Sequence, residues 1–309
     1  MAGQLFGSGT GDHSYGKGRV LAGQTLAEAL RKLKVTPDFQ IGEEQPGTSL
    51  FFTHRRISDG EIYWVNNSNN RAETVIARFR VADKAPDLWH ADTGKMEAAS
   101  YRIADNRTIV PLRLGPNDAV FVVFRRNADV PSRSIRLPIE TIVASIEGPW
   151  KVQFQSGRGA PAECSFEKLV SWTENKDSGV KYFSGTATYS KSFQAPTKWF
   201  NTGARLRMDL GDVKNIAEVS VNGKYLGIVW KPPFRVDVTG RIKPGTNALE
   251  IKVTNLWVNR LIGDQQPDAT QKYTYTNMRF YSADSTLLPS GLLGPVQIVR
   301  SVRAFNRNE

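Results

Sequence analysis

From about residue 48 onwards the chain reads as short apolar and aromatic runs separated by turn residues, and no other feature constrains its fold as much. FFTHRR and EIYWVNN flank Ser58-Asp59-Gly60, a tight reversal between β-branched and aromatic arms. ETVIARFRV (73–81), DLWHA with the turn Asp92-Thr93-Gly94, ASYRIAD, TIVPLRL and AVFVVFRR (119–126) follow at regular spacing. The succession predicts an antiparallel β-sandwich over residues 46–126, of the immunoglobulin-like kind. AVFVVF is apolar on both faces, as a central strand requires.

A second β run starts near Glu140 with IVASIEGPWKVQFQ and ends with GPVQIVRSV. Within it, Asn222-Gly223 separates Val219-Ser220-Val221 from Tyr225-Leu226-Gly227. Asn-Gly between apolar arms is a strong hairpin signal, because a type I′ turn needs positive φ twice. Pro244-Gly245 marks another turn before NALEIKV. The strand count and spacing predict a jelly roll over residues 139–309, joined to the first sandwich by the polar linker 127–138.

The N-terminal 45 residues differ in kind. A glycine-rich stretch, GSGTGDHSYGKG, lacks the Gly-Lys-Ser/Thr ending of a phosphate loop and reads as a flexible loop. Residues 19–23 form a candidate short buried strand. Thr25 opens a helix, with Glu28 completing a capping box and Pro37 stopping it. Leu26, Ala29, Leu30 and Leu33 share one face. One strand and one helix cannot bury a core alone, so residues 1–45 read as the tail of an α/β domain or a brace on its neighbours. The expected fold class is mostly β, two antiparallel sandwiches in series behind a short α/β segment.

With 309 residues the chain has room for two domains, and 40% hydrophobic with 23% charged residues excludes disorder. The excess of 41 Lys+Arg over 30 Asp+Glu gives a net charge of +11. The basic residues are scattered; the densest cluster, Arg125, Arg126, Arg133 and Arg136, falls at the linker, so a solvated surface is expected and no nucleic-acid partner. A single cysteine, Cys164, excludes an internal disulfide and a Cys-based zinc site. His13, His54 and His90 are too widely spaced for a metal site. No stretch has the length of a membrane span, so no membrane partner is expected, and the N-terminus carries no signal-peptide pattern.

Two family resemblances follow from ordered motifs. SGTATYSKSFQAP, the long segment LRMDLGDVKNIAEVSVNGKYLGIVWKPPFRVDVTGRIKPGTNALEIKVTN, and SGLLGPVQI resemble the sugar-binding, galactose-binding-like jelly roll of family 2 glycoside hydrolases. Over nearly the full length, YGKGRVLAGQTLAEALRKLKVTPDF, FFTHRRISDGEIYWVNNSN, DLWHADTG and TNLWVNRLIGDQQP resemble the C-terminal part of α-L-rhamnosidases of glycoside hydrolase family 106. That resemblance implies a catalytic barrel outside this segment and calcium assistance in the full-length enzymes. It also implies bacterial origin with a periplasmic or secreted setting. The expected role is the accessory, carbohydrate-binding region of a rhamnoside-hydrolysing enzyme, truncated or encoded separately. A rhamnose-containing glycan and the barrel are its partners, with no cofactor of its own. The rival is a free-standing carbohydrate-binding module.

Glycoside hydrolysis needs two carboxyl groups about the scissile bond. Glu163, Glu174, Asp177, Asp264 and Asp268 all fall in expected loops, where surface carboxylates are the default, so no catalytic residue is assigned. Nor do Asp209, Asp212 and Asn215 carry a diagnostic calcium spacing, and no metal ligand is assigned. The segment 255–290 is too long and polar for a simple turn, and long ordered loops are usually functional. Its Trp257, Asn259, Arg260, Asp264, Gln265 and Tyr273 offer the rings, amides and charges that sugars engage, and the resemblance implies an active-site edge here. The competing expectation is that Arg260 and Asp264 form a structural ion pair while Trp257 packs the sandwich. Trp172, Tyr182 and Phe183 form a second candidate stacking group, and Trp230 a third.

Overall fold

The Ser58-Asp59 reversal joins two antiparallel strands of 8 residues each. The computed structural model describes Gly3 and residues 11–42, 44–201 and 203–302. Two compact units divide the chain, Met1–Ile135 and Arg136–Glu309.

In the first unit the elements are β1 (Gly11–Tyr15), β2 (Gly18–Ala22), α1 (Leu26–Lys32), β3 (Phe39–Gly42), β4 (Leu50–Ile57), β5 (Gly60–Asn67) and β6 (Glu73–Phe79). They continue with β7 (Lys84–His90), β8 (Lys95–Ala98), β9 (Tyr101–Ala104), β10 (Arg107–Leu114), β11 (Ala119–Asn127) and β12 (Ser132–Arg133). Two five-stranded sheets, ordered β12-β9-β10-β6-β3 and β4-β5-β11-β7-β8, make the sandwich. Alternation decides which side chains enter it: Tyr63, Val65, Val75, Ala77, Phe79, Leu112, Val122 and Phe124 form the core. AVFVVF lies in β11, central between β5 and β7. Gly60 is required by close approach, since a Cβ there would stand 2.1 Å from the Phe124 carbonyl oxygen.

One expectation for this unit needs correction. Residues 19–23 are not a buried strand: β2 is exposed or half-buried along its length and pairs with β1, so part of the expected glycine-rich loop is a partner strand; positions 7–10 of the loop lie outside the described residues. Within residues 1–45, β3 pairs with β6, and Phe39 lies 5.3 Å from the Phe79 ring. Within residues 127–138, Ser132–Arg133 pairs with β9. The capping box at Thr25 and Glu28 is formed. The apolar face of α1 stays open, with Leu26 75% and Leu33 45% exposed. Arg125 and Arg126 lie in β11 and pair with Asp59 and Asp87 at the surface.

Glu73, buried at the start of β6, gathers the loop before it. Its carboxylate accepts from Thr48 Oγ1 at 2.8 Å, Asn69 Nδ2 at 2.9 Å and Arg71 Nε at 2.7 Å. The Asn69 and Arg71 bonds hold its pKa below the usual value, against the opposing effect of desolvation. A depressed carboxylate contributes stability that is present above its unfolded pKa and lost as pH falls through the folded one. Denaturant unfolding of the first unit should therefore weaken below about pH 4.3, the ordinary glutamate value. Glu73→Gln should flatten that acid limb while lowering stability at pH 7; an unchanged limb would mean the three donors do not stabilise the ionised form.

The second unit contains β13 (Ile139–Ser145), β14 (Trp150–Phe154), β15 (Glu163–Phe166), α2 (Ser178–Lys181), β16 (Thr186–Ala195), β17 (Arg205–Asp209), β18 (Asp212–Lys214) and β19 (Ile216–Val221). It continues with β20 (Lys224–Val229), β21 (Arg235–Asp237), β22 (Gly245–Thr254), α3 (Val258–Gly263), β23 (Gly291–Gly294) and β24 (Gln297–Val302). A four-stranded sheet, β13-β24-β17-β21, and a six-stranded sheet, β15-β14-β16-β22-β19-β20, form a jelly-roll sandwich, with β18 and β23 paired separately. Trp150, Tyr189, Phe183, Met208, Leu210, Ile251 and Ile298 fill its core. Asn222 and Gly223 have φ of 52° and 73°, the two positive values that a type I′ turn demands. Chain order matters most at one place: between β22 and β23 the backbone leaves the sheets and folds on itself around α3.

Candidate functional site

Every residue of α3 is buried, which is unusual for so short and polar a helix, and its polar side chains are spent on the insertion that follows. Asn259 clamps the far end: Nδ2 donates to the Leu288 carbonyl at 2.7 Å, and Oδ1 accepts from the Leu288 N–H at 2.9 Å. Gln266 Nε2 donates to the Ala283 carbonyl at 2.9 Å. Asp264 holds the middle. Its Oδ2 accepts from Tyr273 N–H at 3.0 Å, Thr274 N–H at 2.8 Å and Thr274 Oγ1 at 2.6 Å. Its Oδ1 faces Arg260 Nε at 2.9 Å, one turn back on the same stretch. The approach is an ion-pair contact whose angle is not that of a hydrogen bond, so Nε is buried with no acceptor in line.

The Arg260 guanidinium is framed by two rings, 5.0 Å from the Tyr273 centroid and 5.8 Å from that of Tyr182. Tyr182 closes α2, whose first turn is capped by Asp177 Oδ1 accepting from Val180 N–H. Glycine is needed at Gly263, because a Cβ would meet Arg260 at 2.4 Å and Tyr182 at 2.6 Å. Between α2 and α3 lies a polar cavity of about 350 Å³, and among the residues lining it are Lys176, Lys181, Tyr182, Arg260, Asp268 and Tyr273. On the other side of Asp264 a smaller hollow of about 290 Å³ is lined by Gln265, Lys272 and Tyr275 among others.

Of the side chains singled out in the sequence, the fold thus brings Tyr182, Arg260, Asp264 and Tyr273 together. It removes Trp172 from the group. That ring has no exposed surface; it stands edge-on to Phe154 and Phe183, and Nε1 donates to Tyr189 Oη at 2.6 Å. A stacking face for a sugar is therefore not available on Trp172, and the side chain belongs to the core. Trp257 is 56% exposed and does not pack the sandwich, while Gln265 faces the smaller hollow. Trp230 is also exposed, whereas Phe234 of the same bend is buried. Lys176, Lys181, Gln271 and Thr270 were not signalled by any motif.

Among the described residues, metal chemistry finds no donor set. Asp209 is paired with Arg235 at 2.7 Å and Asp212 with Lys214 at 2.8 Å, so these oxygens do not fit a calcium site. His54 lies between Asp38 at 2.7 Å and Glu61 at 2.5 Å, and His90 beside Glu97 at 3.0 Å. Among the described residues no group of three or more His, Cys, Asp or Glu side chains is placed to hold a metal ion. Burial pushes the Cys164 thiol up, away from reactivity. No helix among the described residues is long and apolar enough to cross a membrane.

An antiparallel sandwich followed by a galactose-binding-like jelly roll, with a folded insertion before the closing strands, defines a glycoside-hydrolase-related β architecture. The family comparisons place it more closely. Residues 1–103 match the glycoside hydrolase family 106 model, alpha-L-rhamnosidase, and residues 170–284 match a glycosyl hydrolase 2 galactose-binding domain-like model. The rhamnosidase from Novosphingobium sp. PP1Y superposes with a TM-score of 0.86 at 46% identity, covering 96% of this chain and 28% of that one. A curated relative from Formosa agariphila, named "Putative beta-glucuronidase", is 42% identical over 176 residues, which is 50% of this chain and 15% of the relative. The chain therefore spans less than a third of the length of either relative.

Proposed function

We propose that this chain is the accessory, carbohydrate-engaging region of an α-L-rhamnosidase-like glycoside hydrolase, whose hydrolytic acid and base stand on a barrel outside these residues. The observation that carries the reading is the polar cavity between α2 and α3, shaped by Arg260, Tyr182 and Tyr273. Its size falls in the range of small-ligand sites, and its amides, hydroxyls and charges are the groups that pair with sugar hydroxyls. Asp264, the buried carboxylate of the site, is committed to three donors and to Arg260, so it positions the wall of the cavity and does not move protons. Likeness to a rhamnosidase across 96% of the chain supports the sugar class.

Two measurements on the purified chain test this reading. Calorimetric titration with rhamnose-containing oligosaccharides should show saturable binding, and a chromogenic α-L-rhamnoside should not be turned over. Turnover would overturn the accessory role. Absence of any binding would remove the carbohydrate-engaging one.

A further inference from the structure

The cavity between α2 and α3 is unequally charged. Its lining carries three cationic side chains, Lys176, Lys181 and Arg260, against one carboxylate, Asp268. Neutral sugars need hydrogen-bond donors and acceptors in comparable number; lysine and arginine supply donors only. The cations also differ in how they are held. Arg260 is 6% exposed, framed by Tyr182 and Tyr273, and its Nε is buried without an acceptor in line. Asp264 meets only the Nε side of the guanidinium fork, and three donors to the other oxygen of that carboxylate already draw on its charge. Lys181 lies over the Tyr182 ring at 5.5 Å, and Lys176 is exposed at the rim. Among the described residues neither lysine forms an ion pair. A planar, preorganised guanidinium at the wall with two mobile ammonium groups beside it suits a compact anion.

Resting on the carbohydrate-engaging reading above, we propose that this cavity selects a sugar carrying an anionic substituent, a uronate carboxylate or a sulfate ester. The anion sits among Arg260, Lys176 and Lys181. Ser178, Thr270 and Gln271, also in the lining, supply neutral partners for the ring hydroxyls. The glycan engaged is then an acidic one, in which rhamnose neighbours a uronic acid or is itself sulfated.

The test compares three probes by calorimetry on the whole chain: a disaccharide of rhamnose and a uronic acid, its carboxyl-reduced neutral counterpart, and the neutral counterpart bearing a sulfate ester. At least one anionic probe should bind about tenfold or more tightly than the neutral one, as a charge-assisted hydrogen bond allows. The margin should shrink as salt rises, through screening. Which anionic probe wins identifies the substituent. In K176A/K181A the preference should fall towards one. In K224A/K243A, which removes the same charge from exposed positions outside the cavity, the preference should persist. Equal binding of neutral and anionic probes would overturn the proposal while leaving carbohydrate engagement intact. Equal loss of preference in both double variants would also overturn it, by tracing the effect to net charge. If no probe binds, the reading beneath it fails and the proposal falls too.

Discussion

Asp264→Ala is expected to destabilise the second unit by about 3–5 kcal/mol, the cost of breaking a buried ion pair by removing one partner. The variant leaves Arg260 charged and 6% exposed, with no counter-ion beside it. It also strips the acceptor from Tyr273 N–H, Thr274 N–H and Thr274 Oγ1, so the turn that carries Tyr273 into the cavity loses its anchor. Guanidinium-induced unfolding should show a lower midpoint with little change in slope. The double variant Arg260→Met/Asp264→Asn should recover most of the loss. An asparagine oxygen can still accept from Tyr273 and Thr274, and the unpaired charge is gone. A double-mutant cycle on the two positions would then return a large coupling. If Asp264→Ala alone unfolds at the wild-type midpoint, the ion pair does not organise the insertion, and the cavity has another origin.

Trp172→Ala should cost a similar amount, about 3–5 kcal/mol, for a different reason: it empties a large space in a packed core. The ring is fully buried, and Gly291 passes so close that a Cβ there would lie 2.5 Å from Nε1. Trp172→Phe keeps most of the apolar volume and loses the donor to Tyr189 Oη, so about 1 kcal/mol is expected for that substitution. Tyr189 would keep the bond from Leu292 N–H at 3.1 Å, and burial already pushes its phenol pKa up, so it stays neutral in either variant. The contrast separates a core role from a sugar platform. A platform would lose binding in Trp172→Ala, keep much of it in the still-aromatic Trp172→Phe, and lose stability in neither.

The two tryptophans show why some of the site was legible and some was not. Trp172 sits between Ser171 and Thr173 and Trp257 between Leu256 and Val258, yet the first has no exposure and the second 56%. Periodicity tells which side chains share a face; it does not tell which face another sheet will cover. The ion pair between Arg260 and Asp264 was the competing expectation, and it forms; the helix that sets the two four residues apart on one side was not readable in a segment taken for a loop. That Asp264 would also hold residues 273 and 274 was not readable, since nothing in a polar loop states where its own backbone returns. Lys176 and Lys181 reach the same cavity from a segment some eighty positions earlier, and their meeting with Arg260 depends on how β16 and β22 pair.

Local chemistry in the chain by itself determined the antiparallel strands, the turns at Ser58-Asp59 and Asn222-Gly223, and the capping box at Thr25, because each depends on neighbours within a few residues. Only the tertiary structure decided that β3 belongs to the first sandwich, that Trp172 is core, and that three cations line one cavity. These are outcomes of sheet order and burial. They join residues far apart in sequence, where the chain carries no local preference for one partner over another.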